Sequence, residues 1–349
     1  MATLPFAQAL QERLLVLDGA VGTMLLNHGL REEDFRGEEF AREEPAREGE
    51  IGAGDPGAAG TSLRLYGNLD LLTLVRPDLV EAVHRAYINA GAEIITTNTF
   101  TANGPMQARY GTAHLAERMN REAAALARRA ADDARDAQPE REVYVAGSLG
   151  PIAPGPPAAG GNEGARGSEV SGEDMRRAYA EQVRGLAAGG AEVILIETAM
   201  SVAGAAAACA GAQDAFARLG RALPVWVSAT TDETGARMGS GESFTEFVRA
   251  VADFGPVCVG LNCGYGPKSI AEGVRALAEV TDLPIAAYPN AGLPDEQMVF
   301  PVGPPAFGRW AEDLAATGLV RVIGGCCGTT PEHIRAVRRG IGTRGDGRQ

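Results

Sequence analysis

Three cysteines stand where the sequence could do chemistry. Cys263 closes the apolar run Val257-Cys-Val-Gly-Leu-Asn-Cys-Gly264, and Cys326 and Cys327 close Val320-Arg-Val-Ile-Gly-Gly-Cys-Cys-Gly-Thr329. Each run reads as a buried strand giving way to a loop, with glycines that let the backbone turn tightly. Thr330-Pro331-Glu332-His333 then opens a helix, with proline in its first turn. Brought together, the three thiolates match a zinc site with one open position. Structural zinc sites usually take four protein ligands, and no fourth cysteine falls into the pattern. Cys258 lies five residues before Cys263 on the same strand, on the opposite face by alternation, and Cys209 sits in an alanine-rich helical stretch. Both read as small apolar packing. Spacing alone leaves the trio open between metal ligands and buried inert thiols.

An open zinc site built from three thiolates is too negative to be a strong Lewis acid toward water. It does lower the pKa of an incoming thiol and holds it as a nucleophilic thiolate. The chemistry that follows is attack of a substrate thiol on an electrophilic carbon. Two carboxylates, Asp18 and Glu197, end other apolar runs, Leu14-Leu-Val-Leu-Asp18 and Val193-Ile-Leu-Ile-Glu197. Such a pair can hold an ammonium group. Asp18 could equally be a turn residue, whereas a carboxylate ending a buried strand needs a partner.

Positioning these groups takes a repeating scaffold. Apolar strand runs near residues 14–18, 93–98, 143–149, 193–197, 225–229, 257–261, 285–288 and 320–323 alternate with helical stretches, the first spanning Pro77 to Ala90 and the last Pro331 to Ile341. Strands that are apolar throughout belong to parallel sheets covered by helices. Eight such units predict a single-domain (β/α)8 TIM barrel over residues 1–342, with loop insertions at about 36–60 and 151–172 and a polar tail at 343–349. An open doubly wound sheet is disfavoured because Asp18-Gly-Ala-Val-Gly-Thr23 lacks the G-x-G-x-x-G spacing. Barrel active sites lie at the C-terminal ends of the strands. The polar residues there are Asp18, Thr97, Asn98, Ser148, Glu197, Thr230, Thr231, Asn262, Cys263, Asn290, Cys326 and Cys327.

Composition narrows the classes of partner. The 349 residues carry a net charge of −13, which argues against nucleic acid or an anionic membrane. No stretch approaches the roughly 20 apolar residues of a membrane span. With five cysteines and no signal-peptide pattern, the expectation is a cytoplasmic protein with free thiols rather than a disulfide framework.

The motifs as a set resemble the homocysteine S-methyltransferase family, and within it the homocysteine-binding module of cobalamin-dependent methionine synthase. The matching stretches are Leu17-Asp-Gly-Ala-Val-Gly-Thr-Met24, Gly67-Asn-Leu-Asp-Leu-Leu72, Gly91-Ala-Glu-Ile-Ile-Thr-Thr-Asn-Thr-Phe100, Gly260-Leu-Asn-Cys-Gly264, Tyr288-Pro-Asn-Ala-Gly-Leu-Pro294 and Gly324-Gly-Cys-Cys-Gly-Thr329. The resemblance implies a zinc-containing barrel that methylates homocysteine sulfur to give methionine. It implies Cys263, Cys326 and Cys327 as Zn2+ ligands and Asp18 and Glu197 as the amino-group site. Backbone amides from Gly19 to Thr23 would meet the substrate carboxylate, and Asn98 and Asn262 would line the substrate. Asn290 would fill the open zinc position when substrate is absent. Both insertions depart from the family pattern at the side where a methyl donor approaches. The sequence holds one barrel without folate, cobalamin or reactivation modules, so methylcobalamin, if it is the donor, is expected on a separate corrinoid- or folate-binding protein.

Two other readings compete. One keeps the acceptor and takes the methyl from a small onium donor such as S-methylmethionine, S-adenosylmethionine or betaine, for which a cation pocket is required. The other is a non-enzymatic zinc or redox sensor built on the Cys326–Cys327 pair, which leaves Asp18 and Glu197 without a role.

Overall fold

A computed structural model describes residues 4–38, 40, 64–152 and 170–342. Most of both predicted insertions, and the 343–349 tail, lie outside the described residues. Eight parallel strands form one sheet: β1 (Leu15–Val16), β2 (Ile94–Thr96), β3 (Tyr144–Leu149), β4 (Val193–Ala199), β5 (Val225–Ala229), β6 (Cys258–Cys263), β7 (Ile285–Pro289) and β8 (Val322–Ile323). Their order is β1-β8-β7-β6-β5-β4-β3-β2. The circle is completed by a parallel bridge between Leu17 and Ile94, where the Asp18 amide donates to the Ile94 carbonyl at 2.9 Å. This is the (β/α)8 barrel predicted from the strand runs.

Alternation along the strands sorts their side chains into two cores. Leu15, Leu17, Ile94, Tyr144, Ala146, Val193, Leu195, Trp226, Cys258, Ala286, Tyr288 and Val322 fill the barrel interior. Residues of opposite parity, such as Val145, Ile194, Val227, Val259 and Ala287, pack outward against the helices. The helix Phe6–Glu12 was not foreseen. It sends Phe6, Ala9 and Leu10 into the interior cluster, with Phe6 edge-on to Tyr144 at 5.4 Å. An apolar plug thus joins the interior core and leaves the polar strand ends for the opposite mouth.

Several strands are shorter than their apolar runs. Only Val322 and Ile323 of the 320–323 run, and Leu15 and Val16 of the 14–18 run, are laddered. Beyond them the chain peels away to build the site: Gly325 donates to the Asp18 carbonyl at 3.0 Å, joining the two loop starts side by side.

Candidate metal and substrate site

A cavity of about 610 Å³ opens at the C-terminal ends of the strands. Cys263, Cys326 and Cys327 lie on one wall, and their sulfur atoms all fall within 4.8 Å of one another. Asp18, Glu197, Asn98, Gly19 and Thr23 line the same cavity.

Cys263 reaches the mouth by a local distortion. Plain alternation would place it on the outward face with Val259 and Leu261. Instead its backbone is left-handed, at φ 61°. That conformation costs a non-glycine residue about 1 kcal/mol or more, and such outliers gather at functional sites. Cys326 and Cys327 are set by the glycines before them. A Cβ on Gly324 would lie 2.5 Å from Leu17 Cβ, and one on Gly325 would lie 2.4 Å from Thr329 Oγ1. Only glycine lets β8 run this close to β1. Thr329 then ties the loop, donating to the Cys326 carbonyl at 2.7 Å and accepting from the Ala20 amide at 3.2 Å.

The electrostatics follow from three thiols in contact. Cys263 is held well below the usual thiol range, at about 3, because Cys326 and Cys327 hydrogen-bond to it. The same contacts push Cys327 up to about 12 and Cys326 up as well. One anion is therefore shared by three sulfurs, which a metal would convert into three ligands. The geometry fits one. Thiolates about 2.3 Å from a tetrahedral zinc are separated by about 3.8 Å, within the spread of the cluster. Beside it, Asn290 donates to the Gly264 carbonyl at 2.8 Å, and its Oδ1 is buried without a hydrogen-bond partner. An orphaned oxygen beside three sulfurs suits a cation.

Two carboxylates line the same cavity. Asp18 is buried and accepts from the Thr96 amide at 2.7 Å and the Thr96 hydroxyl at 3.1 Å. Burial drives its pKa well above the usual carboxylate range, and the Thr96 hydrogen bonds oppose the shift. Glu197 accepts a short hydrogen bond from the Ser148 hydroxyl. Burial raises it to about 7, against Ser148, with the Cys263 thiolate adding to the rise. Neither acid has a cationic partner in its hydrogen bonds, so the cavity holds two carboxyls that a bound ammonium would relieve.

The remaining predicted residues are placed differently. Asn98 lines the cavity while donating to the Leu69 carbonyl at 2.7 Å. Thr23 lines it and accepts from the Gly328 amide at 3.1 Å. Asn262 is fully buried behind the wall, bonded to Thr198. Cys258 lies in the barrel interior and Cys209 in the outer core, apart from the cluster.

A homocysteine S-methyltransferase family model matches residues 15–341. The chain belongs to the homocysteine S-methyltransferase family. Among solved structures, it is similar to the metallated form of the Escherichia coli homocysteine methyltransferase MmuM. The identity is 24%, with 96% of this chain and 98% of that chain covered and a TM-score of 0.68. The oxidised form of the same E. coli protein gives 23% identity, 93% and 95% coverage and a TM-score of 0.67. These likenesses carry the fold. Family membership rests on the family model.

Two residues of this family member's site lie inside the quoted motifs but are not singled out by them. Thr96 is the main partner of Asp18, and its signal is parity: it precedes Asn98 by two residues at the end of a buried strand. Asp70 is a third buried carboxylate on the cavity wall, bonded to Thr101 and Gln107 and raised by burial to about 6. It sits in the short 3-10 helix Leu69–Leu71 between two apolar leucines, which disguises it.

Proposed function

We propose that this protein transfers a methyl group to the thiol of L-homocysteine, giving methionine, with zinc held by Cys263, Cys326 and Cys327. The observation that carries the proposal is the meeting, in one cavity, of a three-sulfur cluster and two carboxyls without cationic hydrogen-bond partners, Asp18 and Glu197. The amino acid enters with its ammonium between Asp18 and Glu197, backbone amides between Gly19 and Thr23 take its carboxylate, and its side chain points toward the sulfurs. Zinc there would lower the pKa of the homocysteine thiol and hold it as a nucleophile. Ser148 and Thr96 keep the two acids in place. The substrate sulfur forms its bond to the methyl carbon as the methyl's bond to its carrier breaks, and the electron pair leaves with the carrier.

The donor reading is methylcobalamin brought by a separate protein. Its support is the exposed apolar residues that follow the strands. Leu26, Tyr66, Phe100, Met200, Tyr265, Leu293, Met298 and Val299 are exposed large apolar residues, and each lies in a segment leaving a strand C-terminus. Among the described residues, Leu319 alone of this class lies elsewhere. Exposed apolar residues gathered on the segments that leave the strand C-termini suit a macromolecular partner that closes over that end of the barrel. A second reading, a small onium donor, has Asp70 in its favour, a carboxyl on the cavity wall whose hydrogen bonds come from Thr101 and Gln107 rather than from a cation.

The test is methyl transfer to L-homocysteine by the zinc-loaded protein from methylcobalamin, S-methylmethionine, S-adenosylmethionine and betaine in parallel, following methionine and the cobalamin spectrum. Methionine formed as methylcobalamin is demethylated is the expected result. Methionine from an onium donor alone would overturn the cobalamin reading. A zinc-loaded protein that binds no homocysteine would overturn both.

A further inference from the structure

Where β4 ends, its ladder with β5 slips. Ile196 pairs with Val227 and Ala199 with Ala229, so Glu197 and Thr198 together face the single residue Ser228. This is a β-bulge, a device that re-aims a side chain and leaves one residue unpaired. The unpaired residue is Thr198, whose φ of 57° is left-handed and strained for a β-branched side chain. Something must hold it. Asn262, on β6 beyond β5, does so twice: its Oδ1 accepts from the Thr198 amide at 2.9 Å, and its Nδ2 donates to Thr198 Oγ1 at 2.7 Å. The same Nδ2 lies 3.9 Å from Cys326 Sγ. Asn262 is wholly buried and is not part of the cavity wall.

We propose that Asn262 is a positioning residue that fixes Glu197 by clamping the Thr198 bulge and, through Cys326, ties the ammonium-binding acid to the sulfur cluster. The proposal rests on the homocysteine reading for what Glu197 binds, but not for the clamp. Without Asn262 the bulge loses the acceptor for its orphan amide, and Thr198 relaxes toward extended backbone. Because side chains alternate along a strand, that relaxation turns Glu197 away from the cavity.

Three variants test it, read by homocysteine calorimetry on the zinc-loaded protein, by zinc content, and by a crystal structure of each variant. Asn262→Ala should keep one zinc and weaken homocysteine roughly tenfold or more, the scale of two lost buried hydrogen bonds. Its structure should show Thr198 out of the left-handed region. Adding Thr198→Gly should recover most of the affinity, since glycine adopts a positive φ without the steric cost. Thr198→Val keeps Asn262 and the strain but loses the Oγ1 contact. It should weaken homocysteine about threefold, and it decides the matter if Asn262→Ala does not fold. Wild-type affinity in Asn262→Ala, or an unchanged Thr198 backbone in its structure, would overturn the clamp; so would wild-type affinity in Thr198→Val should Asn262→Ala fail to fold. Failure of the unmodified protein to bind homocysteine would instead remove the homocysteine reading, while the variant structures would still report on the clamp.

Discussion

Thr96 grips Asp18 with both of its donors, backbone amide at 2.7 Å and hydroxyl at 3.1 Å, so one residue of β2 fixes an acid that follows β1. The amide is a ladder donor left free where β1 ends, and the Asp18 carboxylate replaces the missing strand carbonyl. Thr96→Val keeps the shape and the amide but deletes the hydroxyl. We expect homocysteine affinity to fall roughly tenfold, the worth of a hydrogen bond to a charged group, with zinc content unchanged. Equal loss of zinc would show that Thr96 supports the whole mouth rather than Asp18.

Glu197 sets a pH dependence. Its pKa in the free protein is raised to about 7, chiefly by burial. An ammonium ligand needs the carboxylate, so below that pH binding must first remove a proton. Homocysteine affinity should therefore fall about tenfold per pH unit below about 7 through this group. Glu197→Gln should bind weakly at every pH, lack that break and retain zinc. A Glu197→Gln profile with the wild-type break would assign it to another group.

Removing any one sulfur should remove the metal. Cys263→Ala and Cys326→Ala are expected to bind no zinc and transfer no methyl. In the unmodified protein, a chelator should abolish transfer and added zinc restore it. Cys258→Ala is the control: its sulfur lies in the barrel interior, so about 1 kcal/mol of stability should be lost without loss of metal. Zinc retained at full stoichiometry in Cys263→Ala would rule out the three-sulfur site.

Asp70 makes a statement about stability. Burial raises it to about 6 in the folded chain, above its ordinary value of 3.8. A raised carboxyl adds stability that is complete below the unfolded value and is lost as pH rises through the folded one. Across about pH 4 to 6 this group should remove about 2–3 kcal/mol. Asp70→Asn should flatten that part of the melting-temperature profile and raise stability at pH 7. An unchanged slope would mean that the Asp70 charge is compensated in the fold.

The eight strands are legible in the sequence because each is a continuous apolar run, and parallel strands are buried on both faces. The sulfur trio and the two acids are legible because a barrel gathers strand ends at one mouth. Strand length is not: Val320 and Arg321 belong to the apolar run, yet the ladder begins at Val322. The short plug Phe6–Glu12 offered Phe6, Ala9 and Leu10 at helical spacing, a signal too brief to separate from a strand. Asn262 reads as a mouth residue by its place next to Cys263. Its work behind the wall depends on a bulge in β4, and no local pattern announces a residue that two strands disagree about.

The pairing of β1 with β8, Leu15 with Val322 and Val16 with Ile323, joins segments some three hundred residues apart, and the Gly325 amide lands on the Asp18 carbonyl. During synthesis, Asp18 and Glu197 leave the ribosome long before Cys326 exists. A nascent chain that has reached Cys263 holds one of three sulfurs and an unclosed sheet. If the site binds as proposed, metal and amino acid are captured only once the Val320–Thr329 segment has emerged and found the strand made first. On the proposed reading, a chain interrupted before that point offers neither ligand a home, so the segment that closes the barrel is also the one that finishes the site.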